Sequence, residues 1–321
     1  MEPLLSPENN RLTVLPIKYP KYWHFYKKMS ALFWTADELD FSKDYHDFSK
    51  LDKNTQHFIT MILSFFAASD TIVNMNLGER FVKEVQIREV IIAYDFQKMI
   101  ENIHNEVYSL QIDNIIRNEE DKDKALNALK HYPCIKKKAD WAFKWIESRE
   151  SFSQRLIAFA IVEGVFFSGA FCAIFWLKKK NIMPGLCDSN EFIARDEGMH
   201  TAFACLLYSD FIEKLDEDIV HDMFKEAYQI EKEFICDSLS CSLIGMNSEM
   251  MAQYIRFVSD RLLVQLGYKK IWNETNPFDW MESISLENKG NFFETRVNDY
   301  QKSGVLDNTD KDKKYEVTED F

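Results

Sequence analysis

Turn formers are scarce: the 321 residues hold only 9 glycines and 7 prolines. That shortage excludes a many-stranded sandwich or barrel, whose hairpins need such residues at regular intervals. Cysteine is sparse as well, and the six present (Cys134, Cys172, Cys187, Cys205, Cys236 and Cys241) contain no C-x-x-C pair. Several sit in apolar runs such as GAFCAIFWL and FACLL, which predicts buried free thiols in a reducing compartment. Basic charge is the minority sign, 39 Lys and Arg against 52 Asp and Glu, for a net charge of −13. Without a long Lys/Arg cluster, a nucleic-acid phosphate backbone is excluded as partner. The first residues, MEPLLSPENNRLTVLP, show neither a basic n-region nor an apolar h-region, so no signal peptide is expected and a cytoplasmic location is.

What is present is apolar and helix-forming. Hydrophobic residues make up 46% of the chain, enough for a sizeable core in one large domain. Helical periodicity marks stretches 57–85, 86–116, 151–180, 189–213, 219–239 and 248–266, and the expected class is all-α. Two short helices separated at Pro133 are expected over 117–150, and a short helix around 34–39 in an otherwise irregular segment before His57. Loops are expected around NPFDW and NKGN. The charged stretch 301–321 has little to bury and reads as a flexible, disordered tail after a single domain over 1–300. Leu156 to Leu177 has the length of a membrane span but carries Glu163 at its middle. With a mean hydropathy of −0.32 for the chain, it reads as a buried core helix and no membrane association is expected.

Two Glu-x-x-His pairs stand out, Glu101/His104 and Glu197/His200, each projecting from one face of a long helix. Alone they say little, because seven histidines among this many acids should give about one such pair by chance. Asp218/His221, in an acidic exposed-looking stretch, is that kind of coincidence. Two further carboxylates strengthen the pattern. Asp70 ends the apolar run MILSFFAASD, and Glu163 interrupts the most apolar helix of the chain; burial of either without a partner is costly. Each precedes a Glu-x-x-His pair by a similar distance, so the chain reads as two helical hairpins, each offering one acid and then one pair. Two single carboxylates with two Glu-x-x-His pairs is the general donor set of ferritin-like di-iron carboxylate bundles, so the pattern is matched here and not deduced afresh. Its oxygen and nitrogen donors suit iron or manganese better than a thiolate metal. Tyr94, Gln97, Glu101, His104 and Tyr108 share one stripe of the second helix, which puts a phenol one turn beyond His104. Phe159, Phe167 and Phe171 recur at helical spacing around Glu163 and read as core packing that would also line the pocket.

The strings FFAASD, ENIHNEVYSL, PCIKKKADWA, RLIAFAIVEGVFFSGAFCAIFWLKK, SNEFIARDEGMH and NPFDWMESISLENKGNFFETRV make the chain resemble, over nearly its whole length, the small subunit of class I ribonucleotide reductase in its short eukaryotic and poxvirus-like form. The resemblance implies a radical-generating oxidoreductase subunit with two iron ions per chain, manganese being the alternative, held by Asp70, Glu101, His104, Glu163, Glu197 and His200. It implies a stable radical on Tyr108 and a transfer path through His104, Asp196 and Trp34, with Tyr300 as a later relay. It also implies a homodimer and a separate large subunit that carries the substrate pocket. The tail would dock there through Tyr315, Glu319, Asp320 and Phe321. The last seven residues, YEVTEDF, depart from the family's Phe-Thr-Leu-Asp-Ala-Asp-Phe but keep an aromatic start and the Asp-Phe end. A ligand-oxidising enzyme on the same scaffold, or an iron store, are the alternatives that share the donor set without explaining Tyr108, Trp34 or the tail.

Overall fold

The computed structural model describes residues 2–244 and 246–281. The expected division at residue 300, Tyr300 and the tail residues Tyr315, Glu319, Asp320 and Phe321 lie outside them. Among the described residues no strand occurs, and eleven helices follow one another: α1 Pro20–Ala31, α2 Asp44–Lys50, α3 Lys53–Glu84, α4 Arg88–Ile115, α5 Glu119–Leu126, α6 Ala128–His131, α7 Pro133–Ile146, α8 Phe152–Lys179, α9 Pro184–Ser209, α10 Glu217–Lys232 and α11 Ser248–Leu266.

Local chemistry sets the helix ends. Asp52 accepts from the Asn54 and Thr55 amides at 3.0 and 3.1 Å and so starts α3. Ser151 caps α8 through the Gln154 amide. Asn247 caps α11 through the amides of Glu249 and Met250, and Gly267, in the left-handed region at φ 91°, ends it. α9 is started from a distance: the buried Asp44 carboxylate accepts from the Gly185 and Leu186 amides at 2.9 and 2.7 Å. The five-residue lead of α9 over its predicted start, 189, follows from Pro184 at its first turn together with that remote cap.

Connections of only three or four residues join α3 to α4 and α8 to α9, so each pair folds back as an antiparallel hairpin. The hairpins face one another, with α10 and α11 packed on α8 and α9, and α1 lying along α4. Among the described residues two helices, Lys53–Glu84 and Phe152–Lys179, are long and apolar enough to cross a membrane; in the second, 89% of the most apolar window is buried inside the protein, and in the first 67%. Both are core helices of the bundle; the first was expected as a helix, but its span-like length was not noted in the sequence. Of the six cysteines all but Cys134 are buried.

The segment before His57 departs from the expected irregular chain, since α1 and α2 form there, while the short helix near Trp34 is a single 3₁₀ turn, Ala36–Glu38. Pro133, expected as the break between two short helices, is itself the first residue of the second, and the region 117–150 holds three helices instead of two. α8 is not uniform: Val162–Phe166 forms a π-helical turn, one residue wider than an α turn, between Phe152–Ile161 and Ser168–Lys179. Such widenings recur at functional sites because they swing a side chain off the regular helical phase. Here the residue swung is Glu163.

Candidate metal centre

Four helices deliver the predicted acids and imidazoles to one place. Asp70 comes from α3, Glu101 and His104 from α4, Glu163 from the π turn of α8, and Glu197 and His200 from α9; all six are almost completely buried. They form two overlapping groups that share Glu101: Asp70, Glu101 and His104 in one, and Glu101, Glu163, Glu197 and His200 in the other. Within each group the donor atoms lie within 4.8 Å of one another. Gly164 permits this approach of α8, because a Cβ there would stand 3.1 Å from Thr201 and 3.0 Å from Leu262. Asp218 and His221, the coincidental pair, lie elsewhere: Asp218 is exposed and His221 contacts the Lys269 carbonyl.

The polar atoms in the pocket point at a common space more than at each other. His104 Nε2 lies 3.2 Å from Asp196 Oδ2, which places a proton on that nitrogen and turns Nδ1 inward. Nδ1 is 3.0 Å from Glu197 Oε1 and 3.5 Å from Glu101 Oε2, so a proton or a metal ion must stand between them. Glu101 Oε2, Asp70 Oδ2 and Glu163 Oε2 have no hydrogen-bond partner. His200 turns Nδ1 to the same space, 3.0 Å from Glu101 Oε1, 3.7 Å from Glu163 Oε2 and hydrogen-bonded to Glu197 Oε2 at 3.3 Å. Gln97 supplies a neutral donor, 3.2 Å from Glu163 Oε1 and 3.5 Å from Glu101 Oε1. Buried carboxylate oxygens without donors are expensive, and a cation, either protons or metal, is what this set lacks. The residues therefore fit a divalent metal pair.

Ionisation follows the same logic. Burial first, and then the charges of Glu101 and Glu197, push the Asp70 carboxyl well above the usual range. Burial and the same neighbours do likewise to Glu163. Burial opposes the cations of His104 and His200, but the surrounding carboxylates outweigh it and raise both imidazoles. Burial also opposes the Glu197 anion, yet bonds from Glu163 and the two histidines, with the charge of His200, hold it low. Protons on the acids and imidazoles thus offset charge in the way bound cations would.

Tyr108 is 1% exposed, and its hydroxyl has no hydrogen-bond partner. Burial, and then the charges of Asp70, Glu197 and Glu101, raise its pKa well above normal, so the phenol is neutral. Its ring stacks on Phe66 at 4.7 Å with 4° between planes, and Phe66 in turn meets Phe167 and Phe171 at 5.6 and 4.9 Å. Phe66 was missed in the sequence, although its position four residues before Asp70 puts it on the same face of α3. Phe159, expected in this lining, pairs with Phe81 instead at 5.2 Å.

On the outer side, Trp34 Nε1 donates to Asp196 Oδ2 at 2.7 Å, the same oxygen that His104 Nε2 approaches. The Trp34 and His104 rings stack at 6.0 Å. Arg195, also unanticipated, holds the other Asp196 oxygen through two donors at 3.1 and 3.3 Å. Burial works against the Asp196 anion, but His104, Arg195 and Trp34 together keep its carboxyl below the usual range. A hydrogen-bonded line thus runs from the pocket through His104 and Asp196 to the buried indole.

Residues 11–277 match the family model for the ribonucleotide reductase small chain. The ribonucleoside-diphosphate reductase small subunit of Dictyostelium discoideum is 55% identical over 306 residues, 95% of this chain and 90% of that protein. The small chain of vaccinia virus strain Ankara is 54% identical over 310 residues, 97% of each. Among solved structures, the Rnr4 homodimer of Saccharomyces cerevisiae superposes with a TM-score of 0.80 at 37% identity, covering 90% of this chain and 93% of that one. With a bundle of matching fold around the buried acids and imidazoles, and relatives matched over nearly their full length, the chain belongs to the ribonucleotide reductase small-chain family.

Proposed function

We propose that the chain generates and stores the radical oxidant that a separate large subunit uses to reduce ribonucleoside diphosphates to deoxyribonucleotides. The observation that carries this reading is Tyr108: a neutral phenol with an unpartnered hydroxyl, sealed by Phe66, Phe167 and Phe171 beside a cage of four carboxylates and two imidazoles. Asp70, Glu101, His104, Glu163, Glu197 and His200 would hold two iron ions, or two manganese ions, with Glu101 common to both groups. Such a metal pair, when bound, supplies the redox chemistry with dioxygen that withdraws an electron from a nearby phenol.

The rest is done by the chain's own residues. Because Tyr108 is neutral when buried, its oxidation must remove a proton with the electron, and the product is an uncharged radical suited to apolar walls. Those walls keep water and reductants from it. His104, Asp196 and Trp34 offer the path by which the oxidant leaves: Asp196 accepts from both rings, so proton and electron can shift together along bonds of 3.2 and 2.7 Å. Arg195 holds the Asp196 carboxylate in place for both.

The reading includes a cytoplasmic homodimer, as the yeast relative is a homodimer, with one ferritin-like domain over 1–300. Tyr300 would continue the path, and the 301–321 tail would dock on the large subunit through Tyr315, Glu319, Asp320 and Phe321. A peptide that orders on binding gives moderate affinity, and tethering to a dimer raises it. The test is reconstitution with a separately purified large subunit: metal-loaded protein should support nucleotide reduction, and deletion of residues 315–321 should abolish it at sub-micromolar large subunit while leaving metal content unchanged. No reduction by the full-length pair would reject the function, and full activity after the deletion would reject the docking role of the tail.

A further inference from the structure

α7 carries three consecutive lysines, of which Lys136 and Lys137 are exposed and Lys138 is 2% exposed. Lys138 lies on the apolar face of its helix, one turn from Ile135 and from Ala142, and its ammonium is surrounded by the core. Nζ is 2.6 Å from Glu231 Oε2 on α10, 3.6 Å from the centre of the Phe65 ring and 4.0 Å from that of Phe234. Glu231 is fully buried, and it lies so close to α8 that a Cβ at Gly169 would stand 2.6 Å from its Oε1. Burial pushes the Glu231 carboxyl up to about 7 and the Lys138 ammonium down to about 8. A buried pair of this kind contributes little net stability compared with apolar side chains of the same size.

Its third contact points to what it does. Lys138 Nζ also donates to the Phe166 carbonyl at 2.5 Å. Phe166 is the last residue of the π turn that carries Glu163. The carbonyl before it, that of Val165, accepts from Ser168 Oγ at 2.7 Å. A widened turn disturbs the regular ladder of helix bonds, and side-chain donors thus meet two successive carbonyls at its exit. Relaxing the turn to regular α geometry would change the phase of Glu163 relative to Glu101, Glu197 and His200.

We propose that the Lys138–Glu231 pair, assisted by Ser168, is a positioning device that holds the π turn open and so fixes Glu163 in the metal pocket. The inference rests on the reading of Glu163 as a ligand. Outer contacts that orient a ligand typically change metal affinity by about 10- to 100-fold when removed.

The test is equilibrium binding of Co(II) to the full-length metal-free protein, read by stoichiometry and by the visible d–d bands, which report ligand geometry without any turnover. In the double variant Lys138→Met/Glu231→Leu both charges are replaced by apolar groups of similar volume, so the thermal midpoint should stay near wild type. Binding at one of the two sites should weaken about tenfold, with altered d–d bands. Wild-type affinity and bands in a folded double variant would overturn the proposal. If that variant does not fold, Ser168→Ala decides, since it removes one neutral hydrogen bond from the same turn: a few-fold weaker site with shifted bands supports the device, and no change overturns it. Glu163→Ala separates the two readings. Two wild-type Co(II) sites in that variant would remove the ligand assignment and the positioning role with it, whereas loss there beside an unaffected double variant would remove the positioning role alone.

Discussion

Asp70→Asn is expected to change stability in opposite directions in the metal-free and metal-loaded protein. Asp70 is 1% exposed, its Oδ2 has no hydrogen-bond partner, and its nearest charges include Glu101 and Glu197. Without metal, the carboxyl is therefore a buried polar group held among like charges, at a penalty of about 1–3 kcal/mol. The amide keeps the shape and is neutral without taking up a proton on folding, so the metal-free variant should gain about 1–2 kcal/mol. In the loaded protein the same change removes an anionic ligand. A loss of about 100-fold in affinity subtracts about 2.7 kcal/mol at saturating metal, because only the folded chain has the site, and this outweighs the gain of the metal-free form to leave the loaded variant about 1 kcal/mol below wild type. For a chain of this size a kcal/mol moves the thermal midpoint by about 2 °C. Calorimetry of chelated and of iron(II)-saturated anaerobic samples should show the variant melting about 2–4 °C above wild type in the first and about 2 °C below in the second. Equal destabilisation in both states would refute the reasoning and make Asp70 an ordinary hydrogen-bonded core acid.

Two more expectations follow from contacts outside the cage. Trp34→Phe removes the donor 2.7 Å from Asp196 Oδ2 while His104 and Arg195 remain. It should cost about 1.5–3 kcal/mol in denaturant unfolding, leave metal uptake unchanged and reduce turnover with the large subunit to background; wild-type turnover would take Trp34 off the path. Glu89, completely buried, accepts from the Lys18 and Tyr19 amides at 2.8 and 3.2 Å and pairs with Arg11. Burial opposes its anion, but these donors hold its pKa below normal. Its contribution is then complete above the unfolded value of about 4.5 and is lost as pH falls through the lowered folded value. Glu89→Gln should cost about 2 kcal/mol at pH 7, with the gap from wild type closing in acid; a gap that stays constant to pH 3 would contradict the assignment.

The parts of the molecule that were legible in its sequence are those governed by local period. α11 runs over the predicted 248–266, and α3, α4 and α8 lie within a few residues of expectation, because long apolar stripes at 3.6 spacing have few other ways to be buried. α1 escaped notice since its sequence, PKYWHFYKKMSA, is mostly polar and aromatic and gains its stability by lying on α4; Pro20 at its first turn was the available signal. The spacing of acids and Glu-x-x-His pairs foretold which six residues would share a pocket. The widened turn at Glu163 could not be foretold, as it depends on what packs around α8. Lys138 looks like a solvated member of a lysine run, and Glu231 is 93 residues away. Only its phase on the Ile135–Ala139–Ala142 face marked it as buried. Trp34 and Asp196, 162 positions apart, were joined by resemblance to a family, and chain distance alone gave no reason to pair them.

The central claim is that the buried cage enables oxidation of Tyr108. Electron paramagnetic resonance of full-length apoprotein given iron(II) and then oxygen addresses it directly, with Tyr108→Phe run in parallel. Since the Tyr108 hydroxyl has no hydrogen-bond partner, the variant should fold and take up metal as wild type does, within about 1 kcal/mol of its stability. The account predicts a stable tyrosyl signal from the wild type and none from the variant. A signal of equal strength in both, or none from a wild type that has bound two irons per chain, would contradict it.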